Sequence, residues 1–377
     1  MDNQNNFIWI ESNEQLEKAC NIIQQANIIA LDTEFVRIRS YYPKLGLIQL
    51  FDNKNVYLID PLAITNFQPF VEILRNPTIL KVLHACSEDL EVFQHTFQQL
   101  PEPMIDTQIM SSFLGLGTSV GFSKLVSHFC QIELDKSASR TNWLTRPLTS
   151  NQLQYAVSDV RYLLPVYTQL QAKLAQTRWH NAVIEECINL KNKKITEIDS
   201  EKAYKKITNA WQLTPQQLSV LQILEKWRIE EAKKRDLALN FIVKEQALWQ
   251  IAKTQPKHTA SLIEFMHPNE IRLHGKKLLL LVEQAKQIPP ESYPNPISRL
   301  IDIPYYKQEM AFLRNTVKQC SPEDLALEVF ASKRQLEQLI KWQIAQHHHL
   351  PELLIGWRKP FGEKLWELYQ NFKKDLC

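Results

Sequence analysis

The chain has no run of about 18 consecutive apolar residues, the length that a membrane-spanning helix requires. Its first residues, MDNQNNFIWIESNEQ, are polar and acidic, and they lack the basic start and apolar stretch of a secretory signal. The six cysteines are scattered and form no Cys-x-x-Cys pair, which argues against a disulfide framework or a cysteine-based zinc site. These absences predict a cytoplasmic protein with reduced thiols.

The distribution of charge divides the 377 residues into two dissimilar halves. Residues 1–190 hold 14 Lys and Arg against 19 Asp and Glu, a net charge of −5, whereas residues 191–377 hold 30 against 22, a net charge of +8. An acidic half beside a basic half suits a carboxylate metal site joined to a module that binds polyanions. A lysine-rich, solvated helical surface is the alternative.

The first half reads as a mixture of strands and helices. Residues 28–35, 45–51 and 56–59 are short apolar runs with short connections, which predicts an antiparallel meander. Residues 80–84 predict a fourth strand, followed by a helix over 87–97 with Ser87 as its N-cap. Ile105 predicts a short fifth strand, and further helices are predicted over 121–130 and 149–174.

The second half follows a helical pattern throughout. The segment IPPESYPNP, residues 288–296, holds four prolines in nine residues and predicts a linker between two helical blocks. The predicted domains are therefore residues 1–190, 210–288 and 297–377.

Asp32 and Glu34 lie two residues apart on the first predicted strand, so alternation places both side chains on one face. Two such carboxylates repel each other unless a cation lies between them. The alternative is an edge strand whose acids face water. The preceding apolar run IIAL favours a buried, central strand instead.

Three more residues complete a candidate site. Asp89 lies where the fourth strand meets its helix, although it could be an ordinary helix-start acid and Glu88 competes for its role. Tyr155 and Asp159 are four residues apart, which places them on one face of a helix. Taken alone, the pair could also be a solvent-facing acid beside a tyrosine at the edge of a core.

The five candidate residues together identify a family more specifically than any one of them does. Four acids in this order, with a tyrosine four residues before the last, match the tyrosine branch of the 3′–5′ exonucleases that are named for four such acids. The segments DTEFVR, HACSEDLEVF and YAVSDVRYLLPVY closely resemble the three exonuclease motifs of the bacterial ribonuclease D family, and SRTNWLTRPLT resembles its bridging segment. This resemblance, over about residues 25–175, implies a ribonuclease-H-like α/β domain with a mixed sheet and flanking helices.

The downstream segment LQILEKWRIEEAKKRDLALNFIVKEQALWQIA resembles the helical HRDC domain that ribonuclease D shares with certain helicases. Many members have a proline near the position of Asn240, and this chain has none there. The block at 297–377 matches a second such domain by position and length. The resemblance therefore implies an α/β catalytic domain followed by two all-α helical domains.

The resemblance also implies an activity, which is release of nucleoside monophosphates from RNA 3′ ends, in tRNA 3′ maturation. Two divalent cations about 4 Å apart supply an activated water and stabilise the leaving oxygen. Mg²⁺ suits an all-carboxylate set, and Mn²⁺ is expected to substitute. Asp32, Glu34 and Asp159 are assigned to the ion nearer the attacking water, and Asp32 and Asp89 to the second. Tyr155 is assigned to orient the water, because a tyrosine with a pKa near 10 is a poor base.

Lys136, Arg140, Trp143 and Arg146 combine basic and aromatic side chains and are candidates to hold phosphate and stack a base. A solvated loop with one packed tryptophan is the alternative. The expected partner is RNA with a free 3′ end, such as a tRNA precursor, with no membrane and no obligatory protein partner. Two rival interpretations are an exonuclease that acts on DNA and a non-catalytic RNA-binding module. All four acids and the tyrosine are present, which disfavours a decayed site.

Overall fold

The chain is divided into two compact units. The computed structural model describes residues 7–195, 199–345 and 349–376. The sheet unit takes in the described residues of Met1–Val36, Lys44–Ile195 and Tyr305–Cys377, and the helical unit takes in those of Arg37–Pro43 and Thr196–Pro304. None of the described helices is long and apolar enough to cross a membrane.

One six-stranded mixed sheet forms the centre of the sheet unit, in the order β1-β4-β3-β2-β5-β6. The antiparallel meander predicted for β2, β3 and β4 is confirmed, while β1 pairs with β4, β5 with β2 and β6 with β5 in parallel. Strand β2 lies between β3 and β5, and Asp32 and Glu34 are partly buried, so the alternative of an edge strand whose acids face water is wrong. The strands are β1 Ile8–Ile10, β2 Ile28–Val36, β3 Lys44–Phe51, β4 Val56–Ile59, β5 Leu80–Leu83 and β6 Met104–Asp106.

Helices make up most of the remaining chain, with short 3-10 turns between them. In chain order they are α1 Asn13–Ile23, α2 Gln68–Arg75, α3 Ser87–Phe97, α4 Thr107–Phe113, α5 Phe122–Cys130, α6 Ser150–Arg161, α7 Leu163–Leu174, α8 His180–Ile195, α9 Pro215–Arg235, α10 Leu239–Ile242, α11 Glu245–Thr254, α12 Pro268–Lys286, α13 Tyr306–Cys320, α14 Leu327–Phe330, α15 Lys333–Ala345 and α16 Lys359–Leu376.

Two details of the sequence prediction need correction. Ser87 is the first residue of α3 rather than its N-cap; Cys86 occupies the N-cap position, and its side chain makes no capping hydrogen bond. The helix predicted over 149–174 is divided at Tyr162 into α6 and α7. Pro165 lies in the first turn of α7 and has no backbone N–H with which to continue the hydrogen bonds of α6.

The packing of the sheet determines where the acidic side chains lie. One face of the sheet packs against α2 and α3 in a buried apolar core. Alternate strand residues contribute to it, including Ile29 and Leu31 of β2 and Ile48 and Leu50 of β3. Because side chains alternate along a strand, Asp32 and Glu34 point to the opposite face of the sheet. Helix α6, which carries the Tyr155 and Asp159 pair, packs against β2, β3 and β4.

The helical unit has an apolar core of its own, formed largely by α9, α11 and α12. Thr214 is the N-cap of helix α9 and forms a capping box with Gln217. The segment Arg37–Pro43 belongs to this unit: Tyr41 packs against the core, and the backbone N–H of Tyr42 donates to the Asp236 carboxylate at 3.0 Å.

The last helices, α13 to α16, belong to the sheet unit. The buried Arg358 donates to the Phe330 carbonyl at 2.9 Å and also bonds Glu186 of α8. The indole N–H of Trp179 donates to Asp324 at 3.1 Å. The two compact units thus have different boundaries from the three domains predicted from the sequence. Those three domains stay a prediction.

Candidate active site

Three carboxylates converge where β2 meets α6. One oxygen from each of Asp32, Glu34 and Asp159 lies within 4.8 Å of the corresponding oxygens of the other two, and all three residues are partly buried. They are the three that the sequence assigns to the ion nearer the attacking water. An all-oxygen donor set of this kind fits a hard divalent cation.

The acids share one electrostatic environment. Burial is the largest cause that raises the pKa of Asp32 well above its ordinary value, followed by repulsion from Asp89, Asp159 and Glu34. Burial and the charges of Asp159 and Asp89 raise the pKa of Glu34 to about 9. Burial raises the pKa of Asp159 to about 7, although a hydrogen bond from Tyr155 acts in the opposite direction. Such mutual repulsion is what a bound cation would relieve.

Asp89, in the first turn of α3, is not part of this three-acid group but repels each of its members electrostatically. It is buried and accepts a hydrogen bond from the Thr33 hydroxyl at Oδ1. Burial raises its pKa to about 6, and the Thr33 hydrogen bond limits the rise. Glu88, its neighbour on the same turn, is exposed. The structure therefore brings Asp89, rather than Glu88, to the other acids.

Helix α6 supplies Tyr155 and Asp159 from one face. Its first turn is fixed by a capping box between Thr149 and Gln152. The Tyr155 hydroxyl hydrogen-bonds the Asp159 carboxylate. Burial, and then the nearby carboxylates, raise the pKa of Tyr155 far above its ordinary value, so the hydroxyl stays protonated at neutral pH. Tyr155 can therefore donate and accept hydrogen bonds, and it is a poor base.

The four predicted substrate contacts lie between α5 and α6 and have different surroundings. Lys136 and Arg140 are exposed, and their role stays a prediction. Trp143 is only 1% exposed, which leaves no free ring face for a base and favours the packed-tryptophan alternative. Arg146 forms an ion pair with Asp60 at 2.6 Å, so its guanidinium has a structural partner in place of the predicted phosphate.

The sequence interpretation missed two polar neighbours of the acids. Thr33 was overlooked because strand alternation directs it away from Asp32 and Glu34, yet its hydroxyl holds Asp89. Gln49 is the β3 register partner of Asp32, is fully buried, and has no hydrogen-bond partner for its side-chain amide among the described residues. A lone glutamine in the apolar strand KLGLIQLF is the signal that could have identified it.

Comparison with known proteins assigns a family to each part of this architecture. A 3′–5′ exonuclease family matches residues 7–175, an HRDC domain matches residues 217–282, and the C-terminal HRDC domain of ribonuclease D matches residues 304–365.

The curated relatives extend over nearly the whole chain. Ribonuclease D of Haemophilus influenzae is 51% identical, with 96% of this chain and 92% of the relative covered. Ribonuclease D of Escherichia coli K12 is 43% identical over 98% of this chain and 99% of the relative. The crystal structure of Escherichia coli RNase D superposes with a TM-score of 0.93 and covers 97% of this chain and 99% of that one. The chain therefore belongs to the ribonuclease D family of 3′–5′ exoribonucleases.

Proposed function

We propose that this exoribonuclease trims the 3′ ends of structured RNAs, tRNA precursors among them, and releases nucleoside monophosphates with the help of two Mg²⁺ ions. The observation that carries the proposal is the convergence of Asp32, Glu34 and Asp159 beside Tyr155. Structured RNA is proposed because the Escherichia coli relative is described as an exoribonuclease involved in structured RNA processing.

The donor set fits the proposed ions. Asp32, Glu34 and Asp159 would hold one cation, and Asp32 together with Asp89 would hold the other. Carboxylate oxygens without histidine or cysteine favour Mg²⁺, with Mn²⁺ as a substitute. When bound, two such cations supply an acidified water and neutralise charge on the leaving oxygen.

The protein's own groups orient the reaction. The Tyr155 hydroxyl donates a hydrogen bond to Asp159, which leaves its oxygen lone pairs free to accept a hydrogen bond from the attacking water. Tyr155 would thereby orient the attacking water without taking its proton. The Thr33 hydroxyl holds the Asp89 carboxylate in place.

The helical regions are proposed to bind the body of the RNA. Residues 191–377 carry 30 Lys and Arg against 22 Asp and Glu, whereas the half with the acids has a net negative charge that repels phosphates. The proposed setting is the cytoplasm, which agrees with the free cysteines at positions 20, 86, 130, 187 and 320.

The proposal is tested with a tRNA precursor carrying a short 3′ extension, compared with DNA of the same sequence. Purified protein is incubated with each substrate in Mg²⁺, in Mn²⁺ and in EDTA, and the products are separated by size and identified by mass. The Asp159→Asn variant serves as the inactive control. We expect nucleoside monophosphates to be released singly from the RNA in either metal, and no release in EDTA.

Three results would contradict it. Equal turnover of DNA would favour the DNA exonuclease, and internal cleavage would remove the 3′–5′ polarity. Turnover of unstructured RNA with no processing of the tRNA precursor would remove the proposed substrate class.

A further inference from the structure

The side chain of Arg146 joins three segments of the sheet unit. Its guanidinium donates to both carboxylate oxygens of Asp60, at 2.7 and 2.6 Å. The same group donates to the carbonyl of Gly46 on β3 at 2.6 Å and to the carbonyl of Trp143 at 2.9 Å. A planar fork with several donors suits this arrangement, and a lysine ammonium could not reproduce it.

The loop held by Arg146 lies unusually close to the sheet at Gly46. A Cβ added to Gly46 would lie 2.7 Å from the Trp143 carbonyl oxygen and 2.8 Å from the Trp143 Cβ. Real side chains do not come this close, so the position needs glycine. The absence of a side chain at Gly46 is therefore what allows Trp143 to sit against β3.

Trp143 in turn lies beside the site. Its ring centroid is 6.0 Å from that of Tyr155, with the planes tilted by 43°, and the indole is almost completely buried. The amide of Gln152, in the first turn of α6, donates to the hydroxyl of Thr141 at 3.0 Å. The loop thus contacts α6 at its start and at Tyr155 itself.

We propose that Asp60, Arg146 and Trp143 are positioning residues, which act through Tyr155 by fixing its ring and the start of α6 against the sheet. The inference rests on the water-orienting role proposed for Tyr155. This role replaces a direct substrate contact for Arg146 and Trp143. The guanidinium already donates to groups of the protein, and the indole is only 1% exposed, so neither is presented to RNA.

Arg146→Met and Arg146→Lys are the informative variants. Arg146→Met removes the charge and the fork, and Arg146→Lys keeps the charge but loses the fork. We expect both to lower the single-turnover rate constant at saturating enzyme, by roughly 10- to 100-fold, since small displacements of a catalytic group have effects of this size. The enzyme concentration for half-saturation should stay unchanged. Arg75→Met, which breaks an exposed ion pair with Glu72 on α2, is the matched control.

A double-mutant cycle with Tyr155→Phe separates positioning from other structural effects. If Arg146 acts through Tyr155, Arg146→Met should have little further effect in the Tyr155→Phe background, so the two changes should be strongly non-additive. Trp143→Phe, which keeps a ring against Tyr155, should retain more activity than Trp143→Ala. Thermal unfolding identifies variants that fail to fold, and in that case Arg146→Lys and Trp143→Phe supply the comparison.

Several outcomes would overturn the inference. A raised half-saturation concentration in Arg146→Met that Arg146→Lys restores would identify Arg146 as a phosphate contact. Additive effects in the cycle would show that Arg146 does not act through Tyr155, while leaving the role of Tyr155 intact. A wild-type rate in Tyr155→Phe alone would remove the proposed role of Tyr155 itself, which is a distinguishable failure.

Discussion

Thr33 donates a hydroxyl hydrogen bond to Oδ1 of Asp89, although strand alternation turns its side chain away from Asp32 and Glu34. The bond lowers the pKa of Asp89 against the larger rise caused by burial. Thr33 therefore helps to keep Asp89 in the charged form that a divalent cation requires.

Replacing Thr33 by valine keeps the shape of the side chain and removes the hydrogen bond. We expect Thr33→Val to raise the Mg²⁺ concentration for half-maximal activity by roughly 10-fold, since residues that hold a metal ligand typically have effects of this order. Thr33→Ser keeps the hydroxyl and should need about as much Mg²⁺ as the wild type. The measurement is a Mg²⁺ titration of initial rate, and an equal requirement in all three proteins would contradict the prediction.

Asp159→Asn should lower kcat by at least roughly 100-fold, because it removes a charged group from the centre of the site. RNA binding should persist, since the change removes a negative charge and no predicted base contact. Glu88→Gln is the matched control, because Glu88 is exposed beside Asp89. The comparison needs a single-turnover assay and a binding assay in EDTA. Wild-type turnover in Asp159→Asn would reject the site, and so would an equal loss in Glu88→Gln.

The stability of the metal-free protein should fall as pH rises. Asp89, Asp159 and Glu34 have folded pKa values of about 6, 7 and 9, above their ordinary values of 3.8, 3.8 and 4.5. The native state therefore binds more protons than the unfolded state over this range. The protons bound by these three acids stabilise the native state. This contribution to the free energy of unfolding is complete below about pH 4 and is lost as pH rises towards about 9.

We therefore expect Tm in EDTA to decrease between about pH 5 and about pH 9, and the gain in Tm on adding Mg²⁺ to increase over the same range. Asp159→Asn should flatten the decrease, because one of the titrating acids is gone. Thermal unfolding with and without Mg²⁺ tests this. A Tm that is the same with and without Mg²⁺ over this pH range would contradict the prediction.

Exposed lysines of the helical unit should supply part of the RNA affinity. Changing Lys253, Lys276 and Lys277 together to glutamine should weaken binding and flatten the slope of log K against log salt, by roughly 0.7 to 0.9 for each phosphate that the protein no longer neutralises. The same change at Lys18, Lys54 and Lys124, which are exposed in the acidic half, is the control. An unchanged slope in the helical-unit variant would show that these lysines are only a solvated surface.

The central strands and the convergence of Asp32, Glu34 and Asp159 could be predicted from the sequence because each carries a local signal. Strand β4 and helix α3 have the bounds predicted from the sequence, because apolar runs and turn residues mark their ends. Only the N-cap of α3 differs. The pairing of Tyr155 with Asp159 followed from helical spacing alone. Strand β1 was missed, since three residues are too short for a periodic pattern and its pairing with β4 is a long-range contact.

The surroundings of the site were less accessible to sequence reasoning. Arg146 and Trp143 have the residue types of a nucleic-acid contact, and only their partners identify them as packed side chains. The partner Asp60 lies 86 residues before Arg146 in the chain, and no local pattern joins the two. Burial and ion pairing depend on the tertiary structure. The residue types could therefore indicate which contacts Arg146 and Trp143 are able to make, but not which contacts they do make.

The segment Arg37–Pro43 also affects how the chain reaches its folded state. Hydrogen bonds join it to the helical unit at Asp236 and Ala238, and the bond from Tyr42 to Asp236 spans 194 residues. Contacts so distant in sequence carry a large loop-closure entropy and slow folding. A fragment limited to residues 196–304 would lack Tyr41 and would leave part of its apolar core uncovered. The core of the helical unit thus closes on a segment that is synthesised before any of its own helices.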